Sequence, residues 1–166
     1  MENGVFFLSD DLVNAKVFDY ENERFNNCRV DYTLNELKKG IEKADKTGIE
    51  FVGMNVTGNA YYMKNQYSYF GLIDTRCCAI KKTDFTFHKD ISCIPDYYAT
   101  VYHLVKNGLN LIINYTYLDF KRYSAGGLGS VNDRVQQKIK EVALMKKLFP
   151  DNIRIVDKAN QPKGSH

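Results

Sequence analysis

The sequence predicts an α/β chain with a mixed sheet flanked by helices. Short apolar runs alternate with stretches whose apolar residues recur at helical spacing. Two of those stretches stop at a glycine, Gly48 and Gly108, as helices commonly do. The 166 residues, 44% hydrophobic and 26% charged, have the composition of one globular domain, assigned to residues 1–158 with 159–166 as a tail.

Gly4 to Leu8 (GVFFL) reads as a buried, parallel-type strand that delivers Ser9-Asp10-Asp11 at its C-terminal edge. Polar, irregular chain follows, with a short strand at Ala15 to Phe18. Thr33 with Glu36 has the form of a capping box. Leu34, Leu37, Ile41 and Ala44 then continue a helix to Gly48. Ile49 to Val56 is a second apolar strand, and Thr57 to Tyr69, dense in Gly, Asn and Tyr, a loop with some extended structure. Phe70 to Lys82 carries a third strand through Cys77-Cys78.

Pro95-Asp96 opens a helix with Tyr97, Val101, Leu104 and Val105 on one face, ended by Gly108. Leu109 to Leu118 forms a long strand. A glycine-rich loop, Ser124 to Ser130, leads to a helix over Asn132 to Phe149 with Val135, Ile139, Val142 and Leu148 inward. Ile153 to Val156 makes a last strand.

Composition narrows the classes. The formal net charge of +3 permits an anionic partner without demanding one. No apolar run approaches the roughly 20 residues that cross a bilayer, and Met1 to Leu8 lacks a basic leader, so the expectation is a cytoplasmic protein without a membrane role. Cys28, Cys77, Cys78 and Cys93 have no zinc spacing. Adjacent Cys77 and Cys78 face opposite sides of a strand, which suggests free thiols. Abundant Asn, Lys, Tyr and Ile looks like AT-rich coding, so lysine clusters are discounted. Lys163 to His166 reads as an expression remnant.

Three constellations could carry chemistry. Asp10 and Asp11 at a strand end suit a hard divalent cation bridging to a diphosphate, or they cap a turn. Asp96 could be a general base beside an acceptor hydroxyl, or an N-cap. Lys121 and Arg122 before Gly126 and Gly127 could cradle phosphate at a helix start, or belong to a plain connection. Tyr61, Tyr62, Tyr67 and Tyr69 with Lys64 could stack on bases or sugars, or pack in the core. His88 and His103 are isolated, His103 reading as a packing residue.

In order, these pieces resemble a GT-A type glycosyltransferase from its metal motif onward: an apolar strand into Asp10-Asp11, a Val52-Gly53-Met54-Asn55 strand, a Cys77-Cys78 strand and an acidic helix start. The stretch Asp96-Tyr97-Tyr98-Ala99-Thr100, then Lys106-Asn107-Gly108 and a strand into Ser124-Ala125-Gly126-Gly127, is similar to the TET/JBP-associated glycosyltransferases of phages and some eukaryotes. The resemblance spans about Gly4 to Val156. It implies transfer of a sugar from a nucleotide-sugar donor to a hydroxyl, on a hydroxymethylated pyrimidine in phage or viral DNA. Asp10 and Asp11 would hold manganese or magnesium, Asp96 would face the acceptor, and Lys121, Arg122, Gly126 and Gly127 would lie near the donor phosphates.

A GT-A fold places several strand–helix units before the acidic motif, whereas nine residues precede Asp10 here. The expectation is therefore a GT-A-like unit lacking most of the N-terminal nucleotide-binding half, as a fragment, a reduced relative, or a chain whose sheet is completed by self-association or a partner chain. The competing class is a non-catalytic module binding nucleic acid or protein. A viral structural protein is a third.

Overall fold

The computed structural model describes residues 4–59, 65–81, 83–121 and 130–156. In chain order these form β1 (Gly4–Leu8), β2 (Leu12–Asp19), β3 (Arg24–Cys28), α1 (Val30–Thr47), β4 (Phe51–Met54), β5 (Tyr67–Ser68), β6 (Cys77–Lys81), α2 (Pro95–Asn107), β7 (Leu111–Ile113), β8 (Thr116–Phe120) and α3 (Val131–Leu148). The α/β class and the mixed sheet are present. A five-stranded sheet runs β1-β6-β4-β7-β5, with β4 and β7 parallel and the other described pairs antiparallel. A separate three-stranded antiparallel sheet runs β3-β2-β8.

Strand alternation divides the core. Val52, Met54 and Cys77 turn toward α1, where Leu37 and Ala44 join Ala15, Leu118 and Phe120 of the smaller sheet. Phe51, Cys78 and Ile80 turn the other way, onto Ala99 of α2 and Ile73. The neighbouring cysteines thus sit on opposite faces, both buried and both free thiols. Gly40 of α1 lets that helix lie close on β7, since a Cβ there would come within 2.6 Å of Ile113 Cδ1. A third cluster joins Tyr98 of α2 to Met145 of α3 through Ile91 and Ile94.

Both glycine stops hold: Gly48 and Gly108 end α1 and α2 at φ 73°, and Pro95 opens α2 as expected. Several expectations are corrected. The helix before Gly48 starts at Val30, so Thr33 and Glu36 lie inside it and are not its cap. Thr33 Oγ1 lies 3.3 Å from Cys28 Sγ, and Glu36 accepts hydrogen bonds from Lys39 Nζ at 2.7 Å and the Tyr115 hydroxyl at 2.5 Å. Cys28 at the end of β3 engages the Thr33 side chain, and the distant Tyr115 with the neighbouring Lys39 engages that of Glu36.

β1 is an antiparallel edge strand, with Val5, Phe6 and Leu8 exposed, because a short apolar run does not encode whether a layer covers it. The polar stretch after it is the β2–β3 hairpin, paired through Phe18 and Phe25. The run Leu109 to Leu118 divides into β7 and β8, in different sheets. The change falls at Asn114, whose side-chain amide donates to the Asn65 carbonyl at 2.9 Å and Ser68 Oγ at 2.6 Å.

α3 occupies its expected range with a different face inward. Val135, Ile139, Val142 and Leu148 are exposed, while Glu141 and Met145 are buried. Residues 153–156 form no strand; Ile153 packs on the third cluster, and Ile155 and Val156 are exposed.

Candidate active site

A cleft of about 510 Å³ opens where four segments meet. The turn before β6 brings Asp74, Thr75 and Arg76; the entry to α2 brings Ser92, Cys93, Pro95 and Asp96; the end of β8 brings Lys121; and α3 brings Arg134 and Lys138. Val56 and Leu72 add apolar wall. Among the described residues, four basic side chains therefore share the cleft with two acidic ones.

Arg76 is fixed before any ligand arrives. Its Nε lies 2.9 Å from Asp74 Oδ1 and its Nη2 2.5 Å from Asp74 Oδ2, while the guanidinium sits 4.6 Å from the Phe120 ring centroid. The hydrogen bonds that it donates to Asp74 raise its proton affinity further. The Arg76 backbone N–H also donates to Asp74 Oδ1, at 3.0 Å. A planar donor held this way offers its remaining N–H groups in a defined direction.

Asp96 is the second residue of α2, whose N-cap is Ile94, so it is not the capping residue. Burial raises its pKa above the ordinary carboxylate value, and the negative charge of Asp74 adds to that. The Tyr97 N–H and the Arg76 charge oppose the shift without cancelling it. A carboxyl group in a cation-lined cleft with raised proton affinity can exchange a proton with a bound hydroxyl.

The wall between α2 and α3 is set by Glu141, 1% exposed. Its carboxylate accepts from the backbone N–H groups of Ser92 at 2.9 Å, Cys93 at 2.9 Å and Ile94 at 3.0 Å, from Ser92 Oγ at 3.0 Å and from Gln137 Nε2 at 2.9 Å. Burial would raise its pKa, but the Ser92 and Cys93 amides and Gln137 outweigh burial and hold it below the ordinary range. The amides leading into α2 are thus already taken by a carboxylate. A ligand anion in this cleft would meet side-chain cations instead.

Of the residues singled out in the sequence, Asp96 and Lys121 line the cleft together. Asp10 and Asp11 lie exposed on the β1–β2 turn, outside the lining but tied to it. Lys121 N–H donates to the Asp11 carbonyl at 2.9 Å, and Ser9 N–H to the Arg76 carbonyl at 2.8 Å. Among the described residues no group of three His, Cys, Asp or Glu side chains is arranged to hold a metal ion. Arg122, Gly126 and Gly127, like Tyr61, Tyr62 and Lys64, lie outside the described residues. Tyr67 packs edge-on against Tyr115 at 6.0 Å, and Tyr69 is exposed. His103 is a packing residue, as its position suggested: it is fully buried against Phe51 and Phe85.

Asp74, Arg76, Arg134, Lys138 and Glu141 were not singled out in the sequence. Arg134, Lys138, Glu141 and Met145 recur at helical spacing on one face of α3, and that was the available signal. No family model matches the chain, and no curated protein or solved structure was found to be similar to it.

Proposed function

We propose that the cleft binds the phosphates of a nucleotide sugar and that the chain is a GT-A-like glycosyltransferase domain acting on a hydroxyl, with a hydroxymethylated pyrimidine in phage or viral DNA as acceptor. One observation supports this above the others: among the described residues, four cations and the half-buried carboxyl group of Asp96 line one cleft. Arg76, Lys121, Arg134 and Lys138 would balance the charge on a departing nucleoside diphosphate. As the bond from the anomeric carbon to the diphosphate oxygen breaks and that carbon bonds to the acceptor oxygen, ionised Asp96 would take the acceptor proton.

Asp10 and Asp11 supply two hard oxygen ligands on one turn beside the cleft wall, a donor set that fits magnesium or manganese sharing phosphate oxygens. Such an ion would act as a Lewis acid toward the diphosphate. The exposed edge strand β1 supports the expectation that a second copy or partner chain extends the sheet.

Calorimetry with UDP-glucose and manganese, on the wild type, Asp11→Ala and Asp96→Asn, tests the reading. Metal-dependent binding weakened by Asp11→Ala, with transfer to hydroxymethylated DNA lost in Asp96→Asn, is expected. Absence of nucleotide-sugar binding overturns it. Salt-sensitive DNA binding that survives loss of Asp10 and Asp11 would instead identify a non-catalytic nucleic-acid module.

A further inference from the structure

We propose that Glu141 is a positioning residue for the cleft: its carboxylate sets the placement of the Asp96 side chain relative to Arg134 and Lys138. This rests on the reading of the cleft as a phosphate site, although one arm of its test does not.

Lys138 and Arg134 lie about one and two turns before Glu141 on the same side of α3. From that side Glu141 reaches Ser92, Cys93 and Ile94, the residues immediately before Pro95-Asp96. One side chain therefore ties the helix bearing two of the cations to the start of the helix bearing the acid. The bonds extend across 47 to 49 residues of sequence, so no local turn duplicates them.

The carboxylate saturates both of its oxygens: Oε1 takes Ser92 N–H, Ser92 Oγ–H and Gln137, and Oε2 takes Cys93 N–H and Ile94 N–H. A carboxylate one methylene shorter could not span this set. The segment 92–94 would then move away from α3, carrying Asp96 away from the half-buried position beside Asp74 that raises its proton affinity.

Glu141→Asp keeps the charge and shortens the reach; Glu141→Gln keeps the shape and removes the charge. Each is compared with the wild type by carboxyl NMR titration of Asp96 without ligand, by calorimetry with inorganic pyrophosphate, and by thermal unfolding. In folded Glu141→Asp the Asp96 titration is expected to fall toward the ordinary carboxylate range, and pyrophosphate affinity to drop about tenfold. A purely structural role would lower the melting temperature and leave both readouts of the folded protein unchanged, which overturns the proposal.

A wild type that does not bind pyrophosphate removes the phosphate reading, and the Asp96 titration still decides the positioning role. If Glu141→Asp does not fold, Gln137→Ala, which removes one hydrogen bond to Glu141, must displace the Asp96 titration in the same direction; an unmoved titration overturns the proposal.

Discussion

Replacing His103 with Phe should abolish a loss of stability that the wild type suffers between about pH 6.5 and pH 4. His103 is fully buried on α2, its ring 4.9 Å from those of Phe51 and Phe85 and 5.3 Å from that of Tyr102. Neither ring nitrogen has a hydrogen-bond partner among the described residues. Burial pulls its pKa from the ordinary 6.5 down to about 4, even though Glu50 Oε2, 3.7 Å from Nδ1, favours the charged form and Lys106 opposes it. The unfolded chain therefore binds more protons than the native one between those values, and stability rises with pH across that window. At about 1.4 kcal/mol for each tenfold change in proton affinity, the full difference is about 3 kcal/mol.

The assay is urea denaturation of both proteins at intervals from pH 4 to pH 8. The wild type should lose about 3 kcal/mol relative to the variant as pH falls through the window. Above pH 7 the Phe variant should be at least as stable, since it removes two unpartnered buried nitrogens. Parallel stability curves for the two proteins from pH 7 to pH 4 would refute the reasoning.

Three further outcomes are expected. Gly53→Ala should cost roughly 1–3 kcal/mol in chemical denaturation, because its Cβ would lie 2.2 Å from Cγ2 of the fully buried, β-branched Ile73; an unchanged midpoint and slope would show that Ile73 repacks freely. Lys121→Ala and Lys138→Ala should each weaken pyrophosphate binding about fivefold, near the 1 kcal/mol of a solvated charge pair, with the deficit shrinking at high salt. Equal affinity in the double variant would remove both from the site. A thiol reagent at pH 8 should label native Cys77 and Cys78 last, since burial pushes the Cys77 thiol up to about 12 and Cys78 higher still; mass spectrometry showing them modified with or before Cys28 and Cys93 would contradict their burial.

Much of the fold was legible where local chemistry decides it. Pro95 and Gly108 bracket α2, Gly48 ends α1, and the apolar runs around Val52 and Ile112 are the parallel pair at the centre of the large sheet. Legibility failed where a distant partner decides. The run from Leu109 to Leu118 reads as one strand because Asn114 looks like a tolerated polar residue, whereas its amide is held by Asn65 and Ser68 and the chain changes sheets there. Asp96 and Lys121 stood out beside proline and glycine signals. Arg76, inside a strand-like stretch, and Arg134 and Lys138, on an ordinary-looking helix, gave no such signal.

The orientation of α3 links the fold to the site. Val135, Ile139 and Val142 form a stripe about a quarter turn from Glu141 and Met145, so a modest rotation would exchange one face for the other. Burying that stripe would gain several kcal/mol at about 25 cal/mol per Å² of apolar surface. It would also withdraw Glu141 from the amides of Ser92, Cys93 and Ile94 and leave those groups without their acceptor. Hydrogen bonds to a charged acceptor contribute about 1.5–3 kcal/mol each, so a set of this size can outweigh the apolar gain. The same orientation directs Arg134 and Lys138 to the cleft. Polar satisfaction of one buried carboxylate thus decides which face of α3 is inward, and the cationic lining of the cleft follows from it.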